Sequence, residues 1–154
     1  MENSSLKYNS VCTFFVGEKM NEKIIKLLTK LNKKAIKNGD VPVSCVITKN
    51  GTIISKAFNK KVLKNDPLAH AEIIAIRKAA KKLKTYNLND CEIYVTLYPC
   101  DMCYNVINEA RIKNVYYILD RKKYAKSTIK SKQVFEKNQG YFEEEIKSFF
   151  VDKR

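Results

Sequence analysis

VPVSCVITKNGTIISKAF, residues 41–58, decides the fold. Val, Ile, Thr and Phe dominate two runs, 41–49 and 52–58, with Asn50-Gly51 between them. Such runs suit a pleated, half-buried surface, and Asn-Gly tolerates the positive φ of a tight two-residue turn. The segment therefore reads as an antiparallel hairpin. Upstream, Ile24, Ile25, Leu27, Leu28, Leu31, Ala35 and Ile36 recur at helical spacing over 18–38, and Asn38-Gly39 supplies the stop. Downstream, 59–69 reads as a loop turning at Asp66-Pro67, and 70–83 as a well-buried helix rich in Ala and Ile. A strand over 92–97, a helix over 99–110 and a strand over 114–119 follow. Residues 121–140 are basic and poorly patterned, and a helix over 141–151 closes the chain. A hairpin feeding alternating strands and helices implies an α/β fold: one mixed sheet, starting with the hairpin, covered on both faces as a three-layer α/β/α domain.

With 154 residues and no Pro/Gly/Ser-rich linker or repeat, the chain reads as one domain over 19–154 behind a polar, irregular, flexible leader over 1–18. Met20 offers a second start that would make the leader dispensable. Hydrophobic residues at 45% exclude a disordered chain, and no apolar run is long enough to span a bilayer. The run VCTFFVG, 11–17, is too short and too weakly flanked for a secretory signal, so the expected compartment is the cytoplasm, with no membrane partner. Cys12, Cys45 and Cys91 are scattered in apolar surroundings and read as small buried hydrophobes, with no disulfide framework. The net charge of +14 suits a phosphate-rich partner. Lys outnumbers Arg by 26 to 4 in a chain also rich in Asn and Ile, which A/T-biased codons would equally produce.

The chemistry lies in His70-Ala71-Glu72 and Pro99-Cys100-Asp101-Met102-Cys103. At i and i+3 of a first helical turn, Cys100 and Cys103 point the same way and can reach one ion. Pro99 suits the helix start, and the helix N-terminus favours the thiolate that binds zinc. CxxC alone also fits a redox pair or half a structural zinc knuckle. His70, the only histidine, sharpens the reading, because three protein ligands leave the fourth tetrahedral position open for water, as catalytic zinc sites do. A closed structural site would need a fourth ligand, for which Cys91 is the candidate. Glu72 would diverge from His70 by about 200° in mid-helix, but at a helix start both can face one pocket. A carboxylate beside the metal, not on it, can shuttle protons; the competing reading of Glu72 is a solvated helical side chain.

His-x-Glu followed by Pro-Cys-x-x-Cys matches the established signature of zinc nucleobase deaminases. Further stretches, Asp40-Val41-Pro42-Val43, Phe58-Asn59, Asp66-Pro67-Leu68-Ala69-His70-Ala71-Glu72-Ile73, Tyr94-Val95-Thr96-Leu97 and the closing Ser148-Phe149-Phe150, resemble the bacterial tRNA adenosine deaminases of the TadA family. The resemblance covers roughly 20–120 plus the last helix. It implies a cytidine-deaminase-like fold, a Zn2+ cofactor on His70, Cys100 and Cys103, Glu72 as the catalytic proton carrier, and a homodimer. It implies hydrolysis of adenosine to inosine at the wobble position of a tRNA anticodon stem-loop. In the substrate pocket it implies Asn59 bonding the flipped base, Ala71 offering its backbone N–H, Val43 lining the pocket, and Phe149 with Lys153-Arg154 lying near the RNA. Lys122, Lys123 and Lys126 would add phosphate contacts. The chain departs from the family at Tyr98, at Asp101, at Ser44-Cys45 and over 118–127, where ILDRKKYAKS replaces a Gly- and Asp-containing loop. Two alternatives stand beside this reading: a deaminase of a free base or nucleoside, guanine or cytosine, and a non-catalytic RNA-binding or dimer subunit on the same fold. An intact Glu72 argues against the latter.

Overall fold

The computed structural model describes residues 13–16, 21–120 and the single position 147. Its elements are β1 (Thr13–Val16), α1 (Glu22–Lys37), β2 (Ser44–Lys49), β3 (Thr52–Phe58), α2 (Lys61–Lys64), α3 (Ala71–Leu83), β4 (Cys91–Leu97), α4 (Asp101–Glu109) and β5 (Asn114–Leu119). No described helix is long and apolar enough to cross a membrane.

The hairpin forms as the sequence predicts. Asn50 and Gly51 both take positive φ, 50° and 77°, the pairing that matches the twist of adjoining strands. β2 begins only at Ser44, since Pro42 has no N–H for a ladder and Val43 N–H turns back to Val41 C=O at 2.7 Å. α1 is capped by the Asn21 side chain, which accepts from Ile24 N–H at 2.9 Å, and ends with Gly39 at φ 76°.

The sheet order is β1-β5-β4-β2-β3, with β2 antiparallel to β3 and β4, and β5 parallel to β4 and β1. Strand alternation sorts the core into two halves. Val46, Tyr94 and Tyr116 face α1, where they meet Ile24, Leu28 and Leu31, and the two tyrosine rings stack at 4.8 Å. Cys45, Ile47, Ile93, Val95 and Val115 face the other way, onto Ala71, Ala75, Ala79 of α3 and Ile107 of α4. The small alanines let α3 approach the strands closely. The three-layer α/β/α expectation holds.

Two local expectations are corrected. Residues 13–16 fall in what reads as an irregular leader, yet they form β1, parallel to β5 from Thr13↔Asn114 to Val16↔Tyr117. Thr-Phe-Phe-Val has strand propensity, but its partner lies about a hundred residues away in sequence. The expected loop over 59–69 contains the short helix α2, because buried Asp40 accepts from the N–H groups of Val62 at 2.9 Å and Leu63 at 3.4 Å. Of the expected helix over 141–151 only position 147 is described, and it is helical; Phe149 and the basic positions Lys122, Lys123, Lys126, Lys153 and Arg154 lie outside the described residues.

Candidate metal centre and active site

Because β2 runs against both β3 and β4, those two strands run the same way and leave the sheet at one edge. From that edge β3 leads through Asn59 to α3, and β4 leads through Tyr98 and Pro99 to α4. Both helices therefore begin where the strands' carboxyl ends lie, the usual place for a ligand in α/β proteins. The positive ends of two helix dipoles also meet there, which favours bound anionic sulfur.

His70 and Cys100 occupy the N-cap positions of α3 and α4 with extended backbones, φ −74° and −66°. The extended cap resolves the His70–Glu72 spacing, since His70 is not yet on the helix and its ring can turn toward the pocket that Glu72 enters. His70 Nδ1 stands 3.7 Å from Cys100 Sγ and 3.5 Å from Cys103 Sγ. All three donor atoms lie within 4.8 Å of one another, the one such cluster among the described residues. Zinc–sulfur and zinc–nitrogen bonds of about 2.3 and 2.05 Å at a tetrahedral angle would separate N from S by about 3.6 Å, so the cluster fits zinc. Cys91 starts β4, at the far end of a seven-residue strand from this edge. That is roughly 20 Å away at 3.3 Å per residue, so Cys91 does not close the set.

The two sulfurs are coupled. A hydrogen bond from Cys103, assisted by His70, holds the Cys100 thiol down at about 3, while the same pairing and burial push Cys103 up. The Cys103 backbone N–H also donates to Cys100 Sγ at 3.4 Å.

Glu72 is 3% exposed, and Oε2 lies 3.6 Å from Cys103 Sγ. Burial raises its carboxyl above the ordinary range, with the Cys100 charge adding to the effect. It is no solvated helical side chain. A buried carboxyl with a raised pKa beside the His70, Cys100 and Cys103 donors is placed to exchange a proton with a group bound there.

Asn59 is buried, its N–H donates to Val43 C=O at 3.0 Å, and its Oδ1 accepts from Ala71 N–H at 2.8 Å. The Ala71 N–H, expected at the base, is donated here to Asn59, which fixes the first turn of α3. The amide is oriented by the bond, which leaves its Nδ2 hydrogens free to donate to another partner. Val43 is buried in the core on the α3 side. Sequence reasoning missed this side-chain-to-backbone tie because nothing local links position 59 to position 71. It also missed the Ser44 ties: Oγ donates to Leu28 C=O at 2.9 Å and the N–H donates to Thr96 Oγ1 at 3.0 Å. Ser44 thus fastens β2 to α1 and β4. Tyr98 packs edge-on against Tyr117 at 5.1 Å.

Residues 18–119 match the zinc-binding region of the cytidine and deoxycytidylate deaminases. The tRNA-specific adenosine deaminase of Aquifex aeolicus is 44% identical over 66% of this chain and 68% of its own length. Other curated tRNA-specific adenosine deaminases are spanned over about half to three fifths of their length. A structure from work on A-to-I editing by tRNA:A34 deaminases at the wobble position superposes at TM-score 0.62 with 35% identity, over 64% of this chain and 76% of that one. The guanine deaminase of Bacillus subtilis superposes at TM-score 0.70 with 31% identity, over 84% of this chain and 95% of that one.

Proposed function

The chain belongs to the cytidine and deoxycytidylate deaminase zinc-binding family, and from that premise we propose that it hydrolyses adenosine to inosine at the wobble position of a tRNA anticodon. It is a zinc-dependent nucleobase or nucleoside deaminase; the proposal concerns which base, and in what molecule. The observation that carries it is the 44% identity to a tRNA-specific adenosine deaminase over 102 residues.

His70, Cys100 and Cys103 would hold zinc, and the bound ion would supply a Lewis acid that makes water nucleophilic near neutral pH. Glu72 would take one proton from the attacking water as its oxygen adds to C6 of adenine, and deliver it to N1. Glu72 then passes the second proton to the amino group, the C6–N6 bond breaks, and ammonia leaves a C6 carbonyl. Asn59 holds the extruded base by donating from Nδ2 to an acceptor on the purine edge. Val43 lies behind Asn59 as pocket wall. The proposal includes Phe149 as an RNA contact and a homodimer, the latter checked by solution mass.

Purified protein should release ammonia from an anticodon stem-loop carrying adenosine at the wobble position and leave inosine there. The superposition on a guanine deaminase over most of the chain favours a second reading, deamination of free guanine. Turnover of free guanine with no reaction on the stem-loop would replace the first reading by the second.

Asn59 gives a separable prediction. Asn59→Ala should leave the buried Ala71 N–H without an acceptor, costing about 1–3 kcal/mol of stability, and should also lose turnover. Asn59→Asp keeps the acceptor and deletes the donor. Its thermal midpoint should fall below wild type by the cost of a buried carboxyl but stay above the alanine variant, while turnover falls as in that variant. Full activity in Asn59→Asp would remove the base contact from the mechanism.

A further inference from the structure

Lysines from α1, α2 and α3 gather around Lys60, the residue after Asn59, and among the described residues none of them has an acidic partner. Lys34 lies in the last turn of α1, Lys60 follows Asn59, Lys64 ends α2, and Lys78 lies on α3. The backbone fixes the cluster: Lys60 N–H donates to Ala69 C=O at 2.9 Å, and Lys64 N–H to Lys60 C=O at 2.9 Å. Lys78 Nζ reaches across to Lys56 C=O at 3.2 Å, and Lys60 Nζ sits 4.7 Å above the Phe58 ring. Lys34, Lys64 and Lys78 are exposed, and Lys60 is half-buried. The ion pairs among the described residues, Lys26–Glu22 and Lys49–Asp90, involve none of these lysines. The nearby carboxylates are engaged elsewhere, Asp40 by the α2 N–H groups and Asp66 by Leu68 N–H at 2.9 Å. Burial first, and then the charges of Lys78, Lys64 and Lys34, lower the Lys60 pKa, so the cluster stands under mutual repulsion.

We propose that Lys34, Lys60 and Lys64 form a phosphate-binding surface that holds the backbone of an RNA strand as its base enters the pocket past Asn59. Two physical reasons favour a polyanion. Unpaired like charges gathered at one spot cost stability, and successive phosphates relieve that cost while releasing counterions. The surface also continues directly from Asn59, so a base held there would carry its own phosphates toward Lys60. A free base has no such group to offer. The proposal rests on the RNA reading above, and binding is measured apart from chemistry so that the two can fail separately.

The test is salt-dependent binding of an anticodon stem-loop by wild type and by Lys34→Gln/Lys60→Gln/Lys64→Gln. Lys81→Gln, at the far end of α3, is the control. Each lysine that meets a phosphate contributes a slope of about 0.7 in log affinity against log salt, or about fivefold at 0.1 M salt. The triple variant should therefore lose about two units of slope and bind about a hundredfold more weakly. Zinc content should stay unchanged, and the arginine replacements should restore binding. Unchanged affinity and slope in the triple variant would overturn the surface, even with the stem-loop deaminated. Failure of wild type to bind the stem-loop would overturn it as well. Salt-sensitive binding lost in the triple variant, with ammonia released only from free guanine, would uphold the surface and overturn the proposed substrate.

Discussion

Glu72→Ala should keep its zinc and its fold and lose turnover by about two to four orders of magnitude, the share that a positioned acid–base group contributes. The side chain lies within 3.6 Å of Cys103 Sγ but is not one of the clustered donors, which are the His70 nitrogen and two sulfurs. Its removal therefore leaves the metal's protein ligands intact. Stability should change little, because burying a carboxyl costs free energy that the alanine no longer incurs, offsetting the small cavity left behind. Glu72→Gln sharpens the test, since it preserves shape and removes the basic oxygen. Metal analysis, a thermal melt and ammonia release on the same preparations separate the outcomes. Loss of zinc from either variant would make Glu72 a ligand, and retained turnover would remove it from the proton path.

How far the sequence could be read depended on the separation of the interacting groups. The hairpin was legible because Asn50-Gly51 and its flanking runs are neighbours in sequence, and both turn residues do take positive φ. The metal set was legible for a similar reason. Cys100 and Cys103 share one helical turn, and His70 and Glu72 flank another helix start, so local geometry constrains each pair. Only their convergence needed the fold, and the parallel run of β3 and β4 provides it. The misses are all long-range or short. β1 is four residues whose pairing with β5 spans most of the chain, and α2 is four residues nucleated by Asp40, more than twenty positions away. The Asn59–Ala71 bond joins a side chain to a backbone group that carries no side-chain signature. Residue patterns assign groups to chemistry but do not say which donors are already engaged, as the Ala71 N–H is with Asn59.

Cys103→Ala should lose the zinc, the activity and a measurable part of the stability together. Wild type should carry about one zinc per chain, as a site with three protein ligands requires. Cys103 is fully buried at the first turn of α4, with its sulfur 3.5 Å from the His70 ring, so a bound ion would join α4 to α3 through it. Metal binding that needs the folded arrangement stabilises that arrangement, and structural zinc in small domains contributes about 10–16 kcal/mol. Here two core clusters already hold the sheet and helices, so the loss should be smaller: a lowered thermal midpoint, not an unfolded chain. Chelation of wild type should reproduce the drop, and restored zinc should reverse it in wild type but not in Cys103→Ala. Cys91→Ala is the decisive contrast. Cys91 is equally buried and equally a cysteine, but it lies at the opposite end of β4. Its replacement should cost some packing, leave zinc at one per chain and leave turnover near wild type. Equal loss of zinc from Cys91→Ala and Cys103→Ala would mean a four-ligand structural site, and the open coordination position that the proposed chemistry needs would be gone.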